Sequence, residues 1–209
     1  PNNPTSGAYS LSRVERIVEA VAANDPPGIV VIDEAYVPFR LAQADDPWRG
    51  VTGLDLLARH SNVLVMRTLS KVGMAALRLG WMAADSALVA EIEKVRLPYN
   101  VPVYSQVMAT CALGPLRPAV ERHVAMVSQA KAELLTELRT MPQVSFGRTD
   151  ANFVWMKVEG GGARLVAELK ARGVMIKSFP AHPSHVRVTV GTKGENAKLL
   201  EAMRAVRGR

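Results

Sequence analysis

The sequence predicts an α/β protein, with an open, mostly parallel sheet in its larger part and a compact α+β unit at its C-terminal end. Two observations predict it. In the first half of the chain, short β-branched apolar runs alternate with stretches of helical periodicity, the pattern of parallel strands joined by crossover helices. Beyond Pro118 a long amphipathic pattern runs to Met141, and the tail after it changes to short strands and helices. The domains are therefore expected to divide as 1–115 and 116–209.

Each element has a local reason. Leu11 to Ala23 carries apolar residues at helical spacing, with Ser10 placed to cap it. Gly28 to Ile32, after the Pro26-Pro27 break, predicts a buried strand, and Asn62 to Arg67 a second. Val51 to Arg59 reads as a short helix between them, and Leu77 to Ala83 as a third strand. A helix is expected from about Ser86 to Lys94, then a proline-containing turn from Leu97 to Pro102. Ser105 to Met141 reads as helical, interrupted at Gly114-Pro115 and again near Pro118. In the tail, Val144 to Phe146, Asn152 to Met156, Val174 to Lys177 and Val186 to Val190 read as strands. Arg164 to Arg172 predicts a helix ended by Gly173, and Glu195 to Val206 a final helix.

Bulk properties narrow the function classes. With 209 residues, 48% hydrophobic and 22% charged, the chain can bury a core. The net charge of +7 and pI of about 9.9 suit anionic ligands. The basic residues are scattered, with no zinc spacing and no RNA-binding signature, so nucleic acid is not the expected partner. No apolar run is long enough to span a bilayer and no signal peptide opens the chain, so no membrane partner is expected. The chain starts at Pro1 rather than Met and reads as cut from something longer. A single cysteine, Cys111, permits no intrachain disulfide and fits the cytoplasm; it reads as a small buried apolar residue.

Four segments carry candidate chemistry: Pro1-Asn2-Asn3-Pro4-Thr5, Asp33-Glu34-Ala35-Tyr36, Thr68-Leu69-Ser70-Lys71 with Arg78, and Arg187-Val188-Thr189-Val190-Gly191-Thr192. Asp33 ends an apolar strand, at the carboxyl edge where open α/β sheets hold ligands. An isolated Asp there would read as a cap or a buried ion pair, and Tyr36 alone as a core residue. Thr68, Ser70 and Arg78 offer two hydroxyls and a guanidinium, donors suited to a phosphate monoester. Lys71 among them has the amine needed to attack an aldehyde, although a single lysine is ordinarily a solvated surface charge. His60, His123, His182 and His185 read as surface or capping residues, and Met108, Met126 and Trp155 as packing.

The order Asn-Asn-Pro-Thr, Asp-Glu-Ala-Tyr, Ser-Lys with Leu-Arg-Leu-Gly downstream, then Arg-Val-Thr-Val-Gly-Thr resembles the class I/II aminotransferases over essentially the whole chain. Within them it is most similar to the histidinol-phosphate branch. The resemblance implies the pyridoxal 5′-phosphate-dependent transferase fold of type I. Here the chain would supply the C-terminal part of the large domain and the small C-terminal domain. It also implies the cofactor, pyridoxal 5′-phosphate, and residue roles. Lys71 would hold the cofactor as an aldimine and shuttle the proton between Cα and C4′. Asp33 would pair with the protonated ring nitrogen, keeping the ring an electron sink. Tyr36 and Asn3 would hydrogen-bond O3′, and Thr68, Ser70 and Arg78 would hold the phosphate. Arg187 would bind the α-carboxylate of an amino-acid substrate, and Lys177 the substrate phosphate. The implied partners are an amino donor and a 2-oxo acid acceptor, in a homodimer. Other readings are an aromatic aminotransferase, a threonine-phosphate decarboxylase, or a non-catalytic sensing domain of a regulator.

Three positions depart from the family pattern. Ser6 is inserted between Thr5 and Gly7, the Lys71-to-Arg78 loop is one residue short, and Lys177 stands where an arginine is common. Lysine binds phosphate as a point charge, without the bidentate fork. The phosphate-loop backbone, the stacking aromatic and the dimer-crossing residues of the family's N-terminal part have no counterpart here. The chain alone is therefore expected to hold part of the site.

Overall fold

A computed structural model describes residues 1–40 and 52–206. They form two compact units. The first comprises Pro1, Ala8–Pro38 and 52–123; the second comprises Asn2–Gly7, residues 39–40 and 124–206.

In the first unit, helix α1 (Leu11–Ala22) starts where the Ser10 hydroxyl accepts from the Arg13 amide at 3.3 Å. Strand β1 (Val30–Asp33) pairs in parallel with β2 (Val63–Thr68), and β3 (Gly80–Ala84) runs antiparallel to β2. Val30 and Ile32 of β1 and Val63 and Val65 of β2 face α1, where Val18 and Leu56 close a core with no exposure. Fully burying each such side chain contributes about 1.5–3 kcal/mol. The opposite face carries Val31, Met66 and Met82, all exposed. Helices α2 (Ser86–Glu93, capped by Asp85) and α3 (Val103–Leu113) follow.

In the second unit, strands β4 (Val144–Phe146), β5 (Phe153–Val158), β6 (Lys177–Phe179) and β7 (His182–Thr189) form an antiparallel sheet in the order β4-β5-β7-β6. Alternation puts Val154, Met156 and Val158 of β5 and Val186 and Val188 of β7 on one face. That face packs on helix α5 (Gly162–Lys170), on α6 (Lys193–Val206) and on Leu134, Leu135 and Leu138 of α4 (Arg117–Arg139). Gly173, at φ +73°, lets the chain leave α5 in the left-handed region.

Several sequence expectations shift. The first unit's sheet is mixed, because β3 runs antiparallel to β2. β3 starts at Gly80, since residues 75–77 form a 3-10 turn. The expected helix at 51–59 reduces to a 3-10 turn at Gly53–Leu56, and its start at Val51 lies outside the described residues. Pro118 does not break a helix: it sits in the first turn of α4, where its missing N–H costs nothing. The break expected at Gly114-Pro115 is the turn between α3, which ends at Leu113, and α4, which starts at Arg117; the compact units divide within α4, at 123/124. The segment Asn2–Gly7, expected with the first unit, belongs to the second. The strand expected at 174–177 lies at Lys177–Phe179, because Val174 and Ile176 pack on the core beside the end of α5.

Candidate active site

In the first unit, alternation separates two neighbouring carboxylates. Asp33 faces the exposed side of the sheet, in register with Met66, which is in turn opposite Met82. Its Oδ1 accepts from the Ala35 amide at 2.9 Å, closing the turn that carries Tyr36. Glu34 points the other way and is 6% exposed. Its carboxylate accepts from Gly53 N at 2.6 Å, Thr52 Oγ1 at 2.7 Å and Arg67 Nε at 3.0 Å. Arg67 Nη2 also donates to Thr52 Oγ1 at 2.9 Å. Gly53 allows this close approach: a Cβ there would lie 2.8 Å from Ile32 Cδ1.

The turn after β2 presents the second group. Leu69 and Val72 are buried, at 0% and 3% exposure, and anchor the loop; Ser70 and Lys71 between them are half-buried. The Thr68 hydroxyl accepts from Ser70 N at 3.0 Å, donates to Leu79 O at 3.0 Å and lies 2.9 Å from Ser70 Oγ. Lys71 Nζ lies 5.4 Å from the centroid of the Tyr36 ring. The structure thus brings Asp33 and Tyr36 to the end of one strand, and Thr68, Ser70 and Lys71 to the end of its parallel neighbour. Arg78 is exposed, at φ +51°, and its Nη1 donates to Ala75 O at 3.4 Å. Its described contact is with that carbonyl rather than with the Thr68–Ser70 pair.

In the second unit, Arg187 Nη1 donates to Asn3 Oδ1 at 2.7 Å, and its guanidinium lies over Phe153 at 5.1 Å. Arg187 Nε is buried and has no hydrogen-bond partner. A buried, unmatched donor beside an exposed sheet face suits an incoming anion. Lys177 is opposite Arg187 in register, exposed, with Nζ 5.2 Å from the Phe179 ring centroid.

Two residues of this unit escaped the sequence reading. Ser6, the inserted residue, is fully buried. Its Oγ donates to Phe153 O and accepts from Ala151 N, both at 3.1 Å, fastening the Asn3 turn to the start of β5. Lys131 is also fully buried, and its ammonium donates to the carbonyls of Phe39, Ala151 and Thr149 at 2.7, 2.9 and 3.2 Å. Burial pulls its pKa down to about 8, against the opposing field of Asp150. The signal was present: Lys131 occupies an apolar-stripe position between Val124 and Leu138 of α4.

Other expectations resolve differently. Met108 and Met126 are exposed, so neither is core packing. Trp155 lies on the face away from the core, stacked on His185 at 5.0 Å and edge-on to His182. Burial, and then the neighbouring His182 and Lys157, hold the His185 pKa below its usual value. His60 pairs with Glu15 at 3.1 Å, beside Arg59.

Comparison with known proteins gives these geometries a context. The sequence profile described as "Aminotransferase class I and II" matches residues 1–204. The chain is 41% identical to a histidinol-phosphate aminotransferase of Polaromonas naphthalenivorans (strain CJ2) over 97% of its own length and 53% of that protein's. It is 40% identical to one from Methylibium petroleiphilum (strain ATCC BAA-1232 / LMG 22953 / PM1), over 99% and 53%. The chain thus spans about half the length of the curated relatives it matches. Among solved structures, the histidinol-phosphate aminotransferase of Clostridium acetobutylicum matches with a TM-score of 0.85 at 22% identity, covering 99% of this chain and 61% of that one. A decarboxylase from Sulfurospirillum multivorans matches with the same TM-score at 20% identity, covering 99% and 59%. These two likenesses are of fold, the type I fold of the pyridoxal-phosphate enzymes. By the extent of the profile match, this chain belongs to the class I and II aminotransferase family.

Proposed function

We propose that the protein bearing this chain is a pyridoxal 5′-phosphate-dependent transaminase acting on histidinol phosphate with 2-oxoglutarate as acceptor. The observation that carries the reaction class is the pairing at the ends of β1 and β2. One strand delivers an exposed carboxylate, Asp33, and its parallel neighbour delivers an amine, Lys71, with the Tyr36 ring against it. Relatives 35–41% identical that bear the histidinol-phosphate aminotransferase name support the substrate.

The donor set fits the cofactor. Thr68, Ser70 and Arg78 would hold the phosphate, Asp33 would partner the ring nitrogen, and Tyr36 and Asn3 would hydrogen-bond O3′. When bound, pyridoxal phosphate supplies an electron sink for charge developing at the substrate Cα. Lys71 would anchor the cofactor, and its Nζ would serve as the general base for the Cα proton. Asp33, an anion on the exposed sheet face, stabilises positive charge on the group it meets. Arg187 presents its unmatched Nε to a substrate carboxylate. Lys177 meets a substrate phosphate as a point charge. The same reading makes the protein a cytoplasmic homodimer. No helix among the described residues is long and apolar enough to cross a bilayer.

Glutamate formation from histidinol phosphate and 2-oxoglutarate tests the assignment, with phenylalanine and threonine phosphate as competing substrates. Turnover is expected with histidinol phosphate. Carbon dioxide release from threonine phosphate would replace this reading with a decarboxylase. Lys71→Ala is expected to abolish both turnover and the borohydride-sensitive absorption of the bound cofactor; a variant retaining either removes Lys71 from its role.

A further inference from the structure

The buried pair behind the sheet faces away from Asp33, yet it touches both strand ends. Glu34 lies between Asp33 and the turn that carries Tyr36, and Arg67 immediately precedes Thr68. Glu34 Oε2 and Arg67 Nη2 are 2.9 Å apart, with side chains 7% and 8% exposed. Thr52 and Gly53 saturate the remaining acceptor positions. The Glu34 amide extends the ladder to Met66 O at 2.9 Å, so both backbone and side chain register one end against the other.

We infer that Glu34 is a positioning residue, whose buried link to Arg67 sets the spacing between Asp33–Tyr36 and Thr68–Ser70–Lys71. This rests on the reading of those residues as cofactor ligands. A closed ring of hydrogen bonds on the far face ties together two turns whose own described bonds lie within each turn or its own loop. Asp33 contributes one bond within its turn, and Lys71 approaches the Tyr36 ring. The Glu34–Arg67 ion pair, 2.9 Å long, adds a link from one strand end to the other.

The length of the Glu34 side chain then matters separately from its charge. Glu34→Asp keeps the charge and shortens the reach; Glu34→Gln keeps the reach and removes the charge. The test measures pyridoxal phosphate affinity by equilibrium dialysis and cofactor-free thermal unfolding for the parent protein and both variants. If Glu34 is a spacer, Glu34→Asp weakens cofactor binding about tenfold or more, the usual scale for outer partners of a site. Glu34→Gln is expected to melt lower than Glu34→Asp yet to bind the cofactor more tightly. If Glu34→Gln does not fold, a tenfold loss in Glu34→Asp with little change in melting supports the proposal by itself. Affinity that tracks melting temperature in both variants, or stays at the parent value in both, overturns it. A parent protein that fixes no cofactor on Lys71 would instead bring down the functional reading, and this inference with it.

Discussion

The two units each bury a charged centre close to their candidate site residues, and they neutralise it in different ways. In the first, Glu34 and Arg67 cancel each other, with Thr52 and Gly53 filling the remaining hydrogen-bonding positions. In the second, Lys131 has no carboxylate among its hydrogen-bond partners; three carbonyls match the three hydrogens of its ammonium. In a matched buried ion pair, removing either partner leaves the other charge buried. A buried cation held by dipoles can release its proton instead, and the pKa of about 8 places that release within the working range of most assays. The first centre is an ionic strut between two strands, and the second is a cation among carbonyls whose charge depends on pH.

The largest effect should come from breaking the strut. Arg67→Met leaves the Glu34 carboxylate buried without a cation and is expected to cost about 3–5 kcal/mol, read from the urea midpoint. A loss below about 1 kcal/mol would mean that water reaches the pair, and the contrast between the units would disappear.

Lys131 supplies the next effect, and its sign can be worked out. Unfolded, it holds its proton to about 10.5; folded, it releases it at about 8. Between those values unfolding takes up a proton, so its contribution to stability rises with pH, and below 8 it is flat. The rise is roughly 3 kcal/mol at most. Urea midpoints at several pH values across that window should rise more steeply for the parent than for Lys131→Met. Parallel curves would mean that Lys131 titrates at its ordinary value.

The smallest effect concerns Arg187. Arg187→Lys loses the bond to Asn3 and the fork that presents Nε. It is expected to raise the KM for glutamate about tenfold while leaving the unfolding midpoint near the parent value. A midpoint that fell with unchanged KM would make Arg187 a structural tie for the Asn3 turn.

How far these features were legible follows from which forces act locally. The helix at 11–22, the strands around Val30, Val63 and Phe153, and the cap at Ser10 were readable, because periodicity and capping depend on near neighbours. Pro118 was read as a break because sequence alone could not say that it stands in a helix's first turn. Ser6 read only as one extra residue in its motif; its burial against Ala151 and Phe153 depends on residues far along the chain. Lys131 was not singled out, because the carbonyls of Phe39, Thr149 and Ala151 that hold it meet it only in the fold.

By itself, then, the sequence determined the order of the chemical groups and the family to which they belong. It also determined that Asp33 ends one strand and Lys71 follows another, since short-range patterning encodes both. Only the tertiary structure decided that Asp33 and Glu34 part to opposite faces, that Arg67 closes on Glu34, and that a buried lysine gathers the carbonyls of Phe39, Thr149 and Ala151. Each of these needs a partner supplied by strand pairing or helix packing, and residues distant in the chain meet only after folding.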